Sequence, residues 1–236
     1  KWSFLYNYGW IFRWNYFKYL FIIIPATQAG DYLLKWMKEK EEDSRSHWTR
    51  GRMLGLMALM FAFNILVLTL LYQRYIFITT LLSVAMGVVA FRLVKNPGSG
   101  MERLFNRLFT WGFYWFLIGI LLDPFEGGVK KDPSTLSYYF ICSGLSFFVI
   151  LAFSIITDVF KKRRAMDLLI SNGQNPMIAY VGNTNIFLPL IGLIPPLQSF
   201  LNNLEPNASL FAGIVLTLMT ALVVLGFTKL KIFLRT

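Results

Sequence analysis

Cysteine and histidine are almost missing from this 236-residue chain: Cys142 and His47 are each the only residue of their kind. One cysteine excludes an intrachain disulfide and a zinc site built from thiolates. One histidine excludes di-histidine metal sites, and no triad or H-E-x-x-H pattern is spelled around it. His47 lies in the charged stretch Lys38 to Arg52 and has Arg52, not an aspartate, five positions on. It cannot serve an H-x4-D acyltransferase motif and is read as a solvated loop residue. Charge is scarce too, at 15% of residues against about 25% in soluble domains. With 56% hydrophobic residues, this excludes a cytosolic enzyme, a stapled secreted domain and a disordered tail, and predicts an integral membrane protein. An initiator Met and a lysine-rich signal start are also lacking, so the chain reads as a piece of a longer one.

What is present is a series of apolar windows. A hydrocarbon core of about 30 Å needs about 20 apolar residues per helix. Seven windows approach this: 16–36, 53–72, 75–94, 104–122, 136–160, 176–193 and 210–227. The predicted fold is an all-α polytopic bundle of about seven spans, forming a single transmembrane domain over 1–236. Only Gln73 and Arg74 separate the second and third windows, which requires a tight antiparallel hairpin. Trp2, Tyr6, Trp10, Trp14 and their aromatic neighbours place an interfacial segment over 1–15, with a sugar-stacking platform as the alternative.

The net charge of +11 is distributed unevenly. On the seven-span reading, 17 Lys and Arg residues fall on one side and 6 on the other. Cytoplasmic loops retain positive charge, so the amino end is expected outside and the carboxyl end in the cytoplasm. The basic residues then read as orientation signals at lipid headgroups, and nucleic acid is not an expected partner.

Three constellations carry polar chemistry. The loop expected between the fourth and fifth spans holds Asp123, Glu126, Lys130, Lys131 and Asp132, followed by Ser137 and Tyr138. These groups suit a sugar or other polar ligand; the alternative is a turn built on Gly127-Gly128. The second constellation follows the fifth span. Lys161, Lys162, Arg163 and Arg164 precede Asn175-Pro176, which reads as an N-cap and first helical position. A phosphate-bearing ligand would meet both cations and a helix start there, although a basic loop is also what topology demands. Further on, Asn183, Thr184 and Asn185 fall within an apolar window, where unpaired amides are costly; they must bond to neighbouring helices or line a hydrated cavity. The third is Gln28 and Asp31, three apart on one helix face. Gly112 and Gly119, and likewise Gly51 and Gly55, read as close helix packing.

The runs Gly119-Ile-Leu-Leu-Asp-Pro-Phe-Glu-Gly-Gly-Val-Lys-Lys-Asp-Pro-Ser-Thr-Leu-Ser-Tyr-Tyr-Phe140, Gly173-Gln-Asn-Pro-Met-Ile-Ala-Tyr-Val-Gly182 and Tyr19-Leu-Phe-Ile-Ile-Ile-Pro-Ala-Thr-Gln-Ala-Gly-Asp-Tyr-Leu-Leu34 resemble the carboxyl-terminal half of bacterial membrane proteins related to heparan-alpha-glucosaminide N-acetyltransferase. The likeness runs over roughly residues 16–182 and more loosely to the end. It implies an acyltransferase of the bacterial cytoplasmic membrane that takes an acyl group from acetyl-CoA, or another acyl-CoA, on the cytoplasmic side. The acceptor would be an extracytoplasmic sugar or glycan, and no metal is implied. On this resemblance Lys161, Lys162, Arg163, Arg164 and Asn175 would meet the donor's phosphates, and Asn183 and Asn185 would orient its arm. Asp123, Lys131, Asp132 and Tyr138 would touch the acceptor. The family's catalytic histidine belongs to the amino-terminal half, so no residue here inherits that role. The expected partners are the bilayer, the donor, the acceptor and the missing half, with a homo-oligomer left open. Competing classes are a transporter or flippase with a midplane polar site and a structural subunit without a ligand.

Overall fold

A computed structural model describes residues 14–39 and 47–233, without the side chains of several residues, Arg163 and Asn183 among them. The aromatic segment expected over 1–15 lies, as far as residue 13, outside the described residues. The described residues are helical, with no strand among them. After a 3-10 turn at Trp14–Tyr19 come α1 (Leu20–Glu39), α2 (Arg50–Tyr72), α3 (Ile76–Val94), α4 (Gly100–Glu126) and α5 (Leu136–Ser154), which runs on as a π turn, Ile155–Val159. Then come α6 (Arg163–Gln174), α7 (Pro176–Val181), a π segment Gly182–Phe187, α8 (Leu188–Gly192), α9 (Pro195–Asn202) and α10 (Pro206–Lys229).

Among the described residues five stretches are long and apolar enough to cross a membrane: Arg50–Tyr72, Ile76–Val94, Gly100–Glu126, Leu136–Val159 and Phe211–Lys229. Their outward faces carry large bare side chains, such as Ile65, Leu68, Phe77, Leu81 and Phe91. Apolar surface on this scale has no place in water, and the chain is an integral membrane protein. The first window forms α1, with Pro25 inside it. The sixth is divided among α7, the π segment and α8.

The chain divides into two compact units, Lys1–Phe160 and Lys161–Thr236. In unit 1 the centre is the stretch Leu136–Val159, whose apolar window is 56% buried, against 22% for Ile76–Val94 at the periphery. Lipid is as apolar as leucine, so close packing rather than water exclusion must join such helices. Glycine provides it between α4 and α5. A Cβ on Gly144 would stand 2.6 Å from the Gly112 carbonyl oxygen and 2.6 Å from Phe116 Cβ, and one on Gly119 would stand 2.7 Å from the Ile141 nitrogen. Around this seam the rings interlock: Phe63 meets Phe116 at 5.0 Å and Phe148 at 4.8 Å, both edge to face. Gly51 and Gly55 differ from expectation. A Cβ on either would meet nothing within 4 Å, so they are not packing contacts among the described residues.

The two ends of unit 1 are each tied by polar bonds. At one end Glu102, fully buried, accepts from the backbone N–H groups of His47 (2.8 Å) and Trp48 (2.7 Å) through Oε1, and of Gly98 (2.8 Å) and Ser99 (3.1 Å) through Oε2. Ser99 Oγ accepts from Glu102 N–H, closing a capping box that starts α4. Arg52 donates to the carbonyls of Leu93 (2.6 Å) and Lys95 (2.5 Å) and covers the Trp48 ring. The α1–α2 and α3–α4 connections therefore share this end. The Gln73-Arg74 turn and the α4–α5 loop share the opposite one.

Candidate functional site

That opposite end is built mainly from the α4–α5 connection. The sequence places Asp123 at the start of an exposed loop, but the structure corrects this: α4 continues through Pro124 to Glu126, and Asp123 is fully buried within it. Its carbonyl accepts from the N–H groups of Gly127 and Gly128. Those glycines have φ of 67° and 116°, values that other residues rarely adopt, and they turn the chain out of the helix. The Asp123 side chain faces Arg74 of the hairpin, with Nη1 to Oδ1 at 3.5 Å. Neither carboxylate oxygen has a hydrogen-bond donor, while Arg74 is half exposed. A buried carboxylate with unspent acceptor capacity is costly unless something donates to it.

The loop itself is self-supporting. Thr135 Oγ1 accepts from the N–H groups of Tyr138 and Lys130 and caps α5. Glu126 accepts from Leu136 N–H (2.9 Å) and Ser137 N–H (2.7 Å), placing an anion at the same helix start. Lys18 Nζ reaches across to the Ser134 carbonyl at 3.0 Å. Lys131 and Asp132 stay exposed on the loop. Half-buried Tyr138 stands edge to face with Tyr139 at 5.5 Å, and Tyr139 does the same with Tyr19 at 5.8 Å. Asp123, Lys131, Asp132 and Tyr138 thus share one end of unit 1, although Asp123 makes no hydrogen bond to the other three.

No family model, no curated protein and no solved structure matches this chain. The chemistry of the sites must therefore be read from the residues themselves.

In unit 2, Lys161, with φ of 53°, and Lys162 lead into α6, and both are exposed, as is Arg164 in its first turn. The sequence reads 161–175 as a short connection, whereas most of it is this 12-residue amphipathic helix. Along α10, α6 is fastened by Asn172 Nδ2 to the Ala221 carbonyl (3.2 Å) and by Thr228 Oγ1 to the Ser171 carbonyl (3.3 Å). Asn175 precedes Pro176 at the start of α7, but its side chain does not cap that helix. Nδ2 donates instead to the Ile232 carbonyl at 2.8 Å, which leaves Oδ1 buried and without a donor. Asn185 is exposed in the π segment, and the side chain of Asn183 lies outside those described. Among the described residues no three His, Cys, Asp or Glu side chains gather as metal ligands.

Sequence reasoning missed Arg74 and Lys18 as parts of this polar end. The seven-span reading already placed Arg74 and the loop that holds Asp123 on one side, and a lone cation in a two-residue turn opposite an acidic loop was the available signal.

Proposed function

We propose that this chain is part of a transmembrane acyltransferase of the bacterial cytoplasmic membrane. It would carry seven spans, the amino end outside, and pass an acyl group from a cytoplasmic acyl-CoA to an extracytoplasmic sugar amine or hydroxyl. In that reaction the acceptor nitrogen or oxygen bonds to the acyl carbon, the thioester C–S bond breaks, and the acceptor's proton leaves with the coenzyme A thiol. The observation that carries this reading is the buried Asp123 carboxylate, unsatisfied beneath a half-exposed Arg74. A sugar presents the hydroxyl and amine donors that such a carboxylate lacks, and Lys131, Asp132 and Tyr138 offer further contacts at the same end. On the donor side, Lys161, Lys162, Arg163 and Arg164 would hold phosphates. Asn183 and Asn185 would hold the pantetheine amides. Asn175, which the resemblance sets among the phosphate contacts, would join them, because its unspent Oδ1 is an acceptor and suits an amide N–H rather than a phosphate.

The reading is tested by coenzyme A release from acetyl-CoA with an amino-sugar acceptor, using the full-length protein in proteoliposomes. Asp123→Asn is expected to lower kcat/KM for the acceptor about tenfold or more, the scale of one lost charged hydrogen bond, while the KM for acetyl-CoA stays unchanged. Unaltered acceptor kinetics would refute the acceptor site.

One observation favours transport instead. The run Pro176–Gly192 changes from α to π and back, and interrupted helices with polar side chains mark substrate sites in transporters. Uptake of an amino sugar without any acyl donor would decide for that alternative.

A further inference from the structure

We propose that unit 1 binds an anionic phospholipid along α1, with one acyl chain in the groove between α1 and α5 and the phosphate at the cationic ends of α1 and α4. The groove is a cavity of about 440 Å³, within the range of small-molecule sites. Pro25, Ala29 and Gly30 wall it on one side, and Ser143, Ser146 and Ile150 on the other. Its hydroxyls are spent on the backbone: Ser143 Oγ donates to the Phe21 carbonyl at 3.2 Å and Ser146 Oγ to the Cys142 carbonyl at 2.7 Å. The wall is therefore a surface for hydrocarbon, with little to offer a sugar, a nucleotide or water.

Leu33 ends the groove on α1. One residue before it and three after it, Tyr32 and Trp36 line a second, small and polar pocket together with Lys35 of α1 and Arg103 and Arg107 of α4. Neighbours three apart on a helix lie about 5–6 Å apart at Cβ, so the apolar and cationic sites adjoin. The Arg107 guanidinium lies 5.8 Å from the Tyr32 ring centroid. Three cations on two helices, at the basic end of the unit, are complementary to a phosphate. Lys and Arg clustered at the ends of membrane helices attract anionic headgroups. A soluble anion would use the cations alone, and a neutral lipid the groove alone. An anionic phospholipid uses both, which is why the pair of sites points to it.

The test is the melting temperature of the full-length protein in detergent, with phosphatidylglycerol, phosphatidylcholine or inorganic phosphate added. Phosphatidylglycerol is expected to raise Tm, as any ligand of the native state does, and neither of the others to match it. Arg107→Gln, and separately Lys35→Gln, should at least halve that rise. Gly30→Leu should do the same by filling the groove, since a Cβ there meets nothing within 4 Å and the fold has room for it. Equal rises with phosphatidylcholine would overturn the proposal, as would a rise reproduced by inorganic phosphate, which would mark a soluble-anion site. A full rise retained in Gly30→Leu would also overturn it, and a change of oligomeric size in that variant would assign the groove to a second copy. If one cation variant does not fold, the other and Gly30→Leu still decide the question.

Discussion

Gly144→Leu is expected to leave little folded protein. The side chain would be built into the tightest seam of unit 1, where even a Cβ lies 2.6 Å from the Gly112 carbonyl oxygen and 2.8 Å from the Phe116 nitrogen. Two of the obstacles are backbone atoms, so no rotamer change relieves them, and α4 and α5 must separate. Overpacking in a rigid core costs about 1–3 kcal/mol, and separating two helices should exceed the upper figure. Parting them would also loosen the stack of Phe63, Phe116 and Phe148. The measurement is the yield and Tm of the detergent-purified protein. Gly173→Ala, at a position where a Cβ meets nothing within 4 Å, serves as the control and should melt near the parent.

Glu102→Ala is expected to have the second-largest effect. Its carboxylate gathers four backbone N–H groups from two separate connections. Removing it leaves those donors in a buried place, at about 1–3 kcal/mol for each one that water does not reach. We expect a loss of roughly 3 kcal/mol or more on that scale, together with protease sensitivity around residues 47–52. Glu102→Gln has nearly the same shape but replaces one acceptor oxygen with an NH2 group that faces two N–H donors. It should therefore destabilise almost as much as the alanine variant. A glutamine variant that melts with the parent would show that shape, rather than acceptor capacity, is what the site requires.

These two residues also mark what the sequence makes legible. The windows 53–72 and 75–94 fall within three residues of α2 and α3, because hydropathy and the Gln73-Arg74 punctuation act on the same scale as helix length. The paired glycines of α4 were legible as packing sites because close approach is what such residues permit between membrane helices. Gly51 and Gly55, four apart rather than seven, also share a helix face, yet a Cβ on either meets nothing within 4 Å among the described residues, since spacing alone does not say which face meets a neighbour. The ends of α4 were misjudged at both sides for one reason: charged residues were taken as loop. Glu102 starts the helix by turning its charge onto backbone N–H groups, and Asp123 stays inside it by lying under Arg74. The compensation of Asp123 comes from a residue distant in sequence, and that of Glu102 is divided between the local Gly98 and Ser99 and the distant His47 and Trp48. Likewise the polarity of 161–175 hid α6, an amphipathic helix tied to α10 through Asn172 and Thr228. That Lys131, Asp132 and Tyr138 share one end of unit 1 was legible by position, whereas the donor-starved state of Asp123 and of Asn175 needed the packed structure.

The account rests on the two ends of unit 1 facing opposite sides of the membrane, with the Asp123 end outside. The most direct measurement is labelling by a membrane-impermeant maleimide in cells carrying the full-length protein with Cys142→Ser. Lys131→Cys and Lys95→Cys supply the two reporters, both at exposed positions. Label on position 131 in intact cells, and on position 95 only after permeabilisation, is the predicted result. The reverse pattern, or label on both in intact cells, would contradict the account.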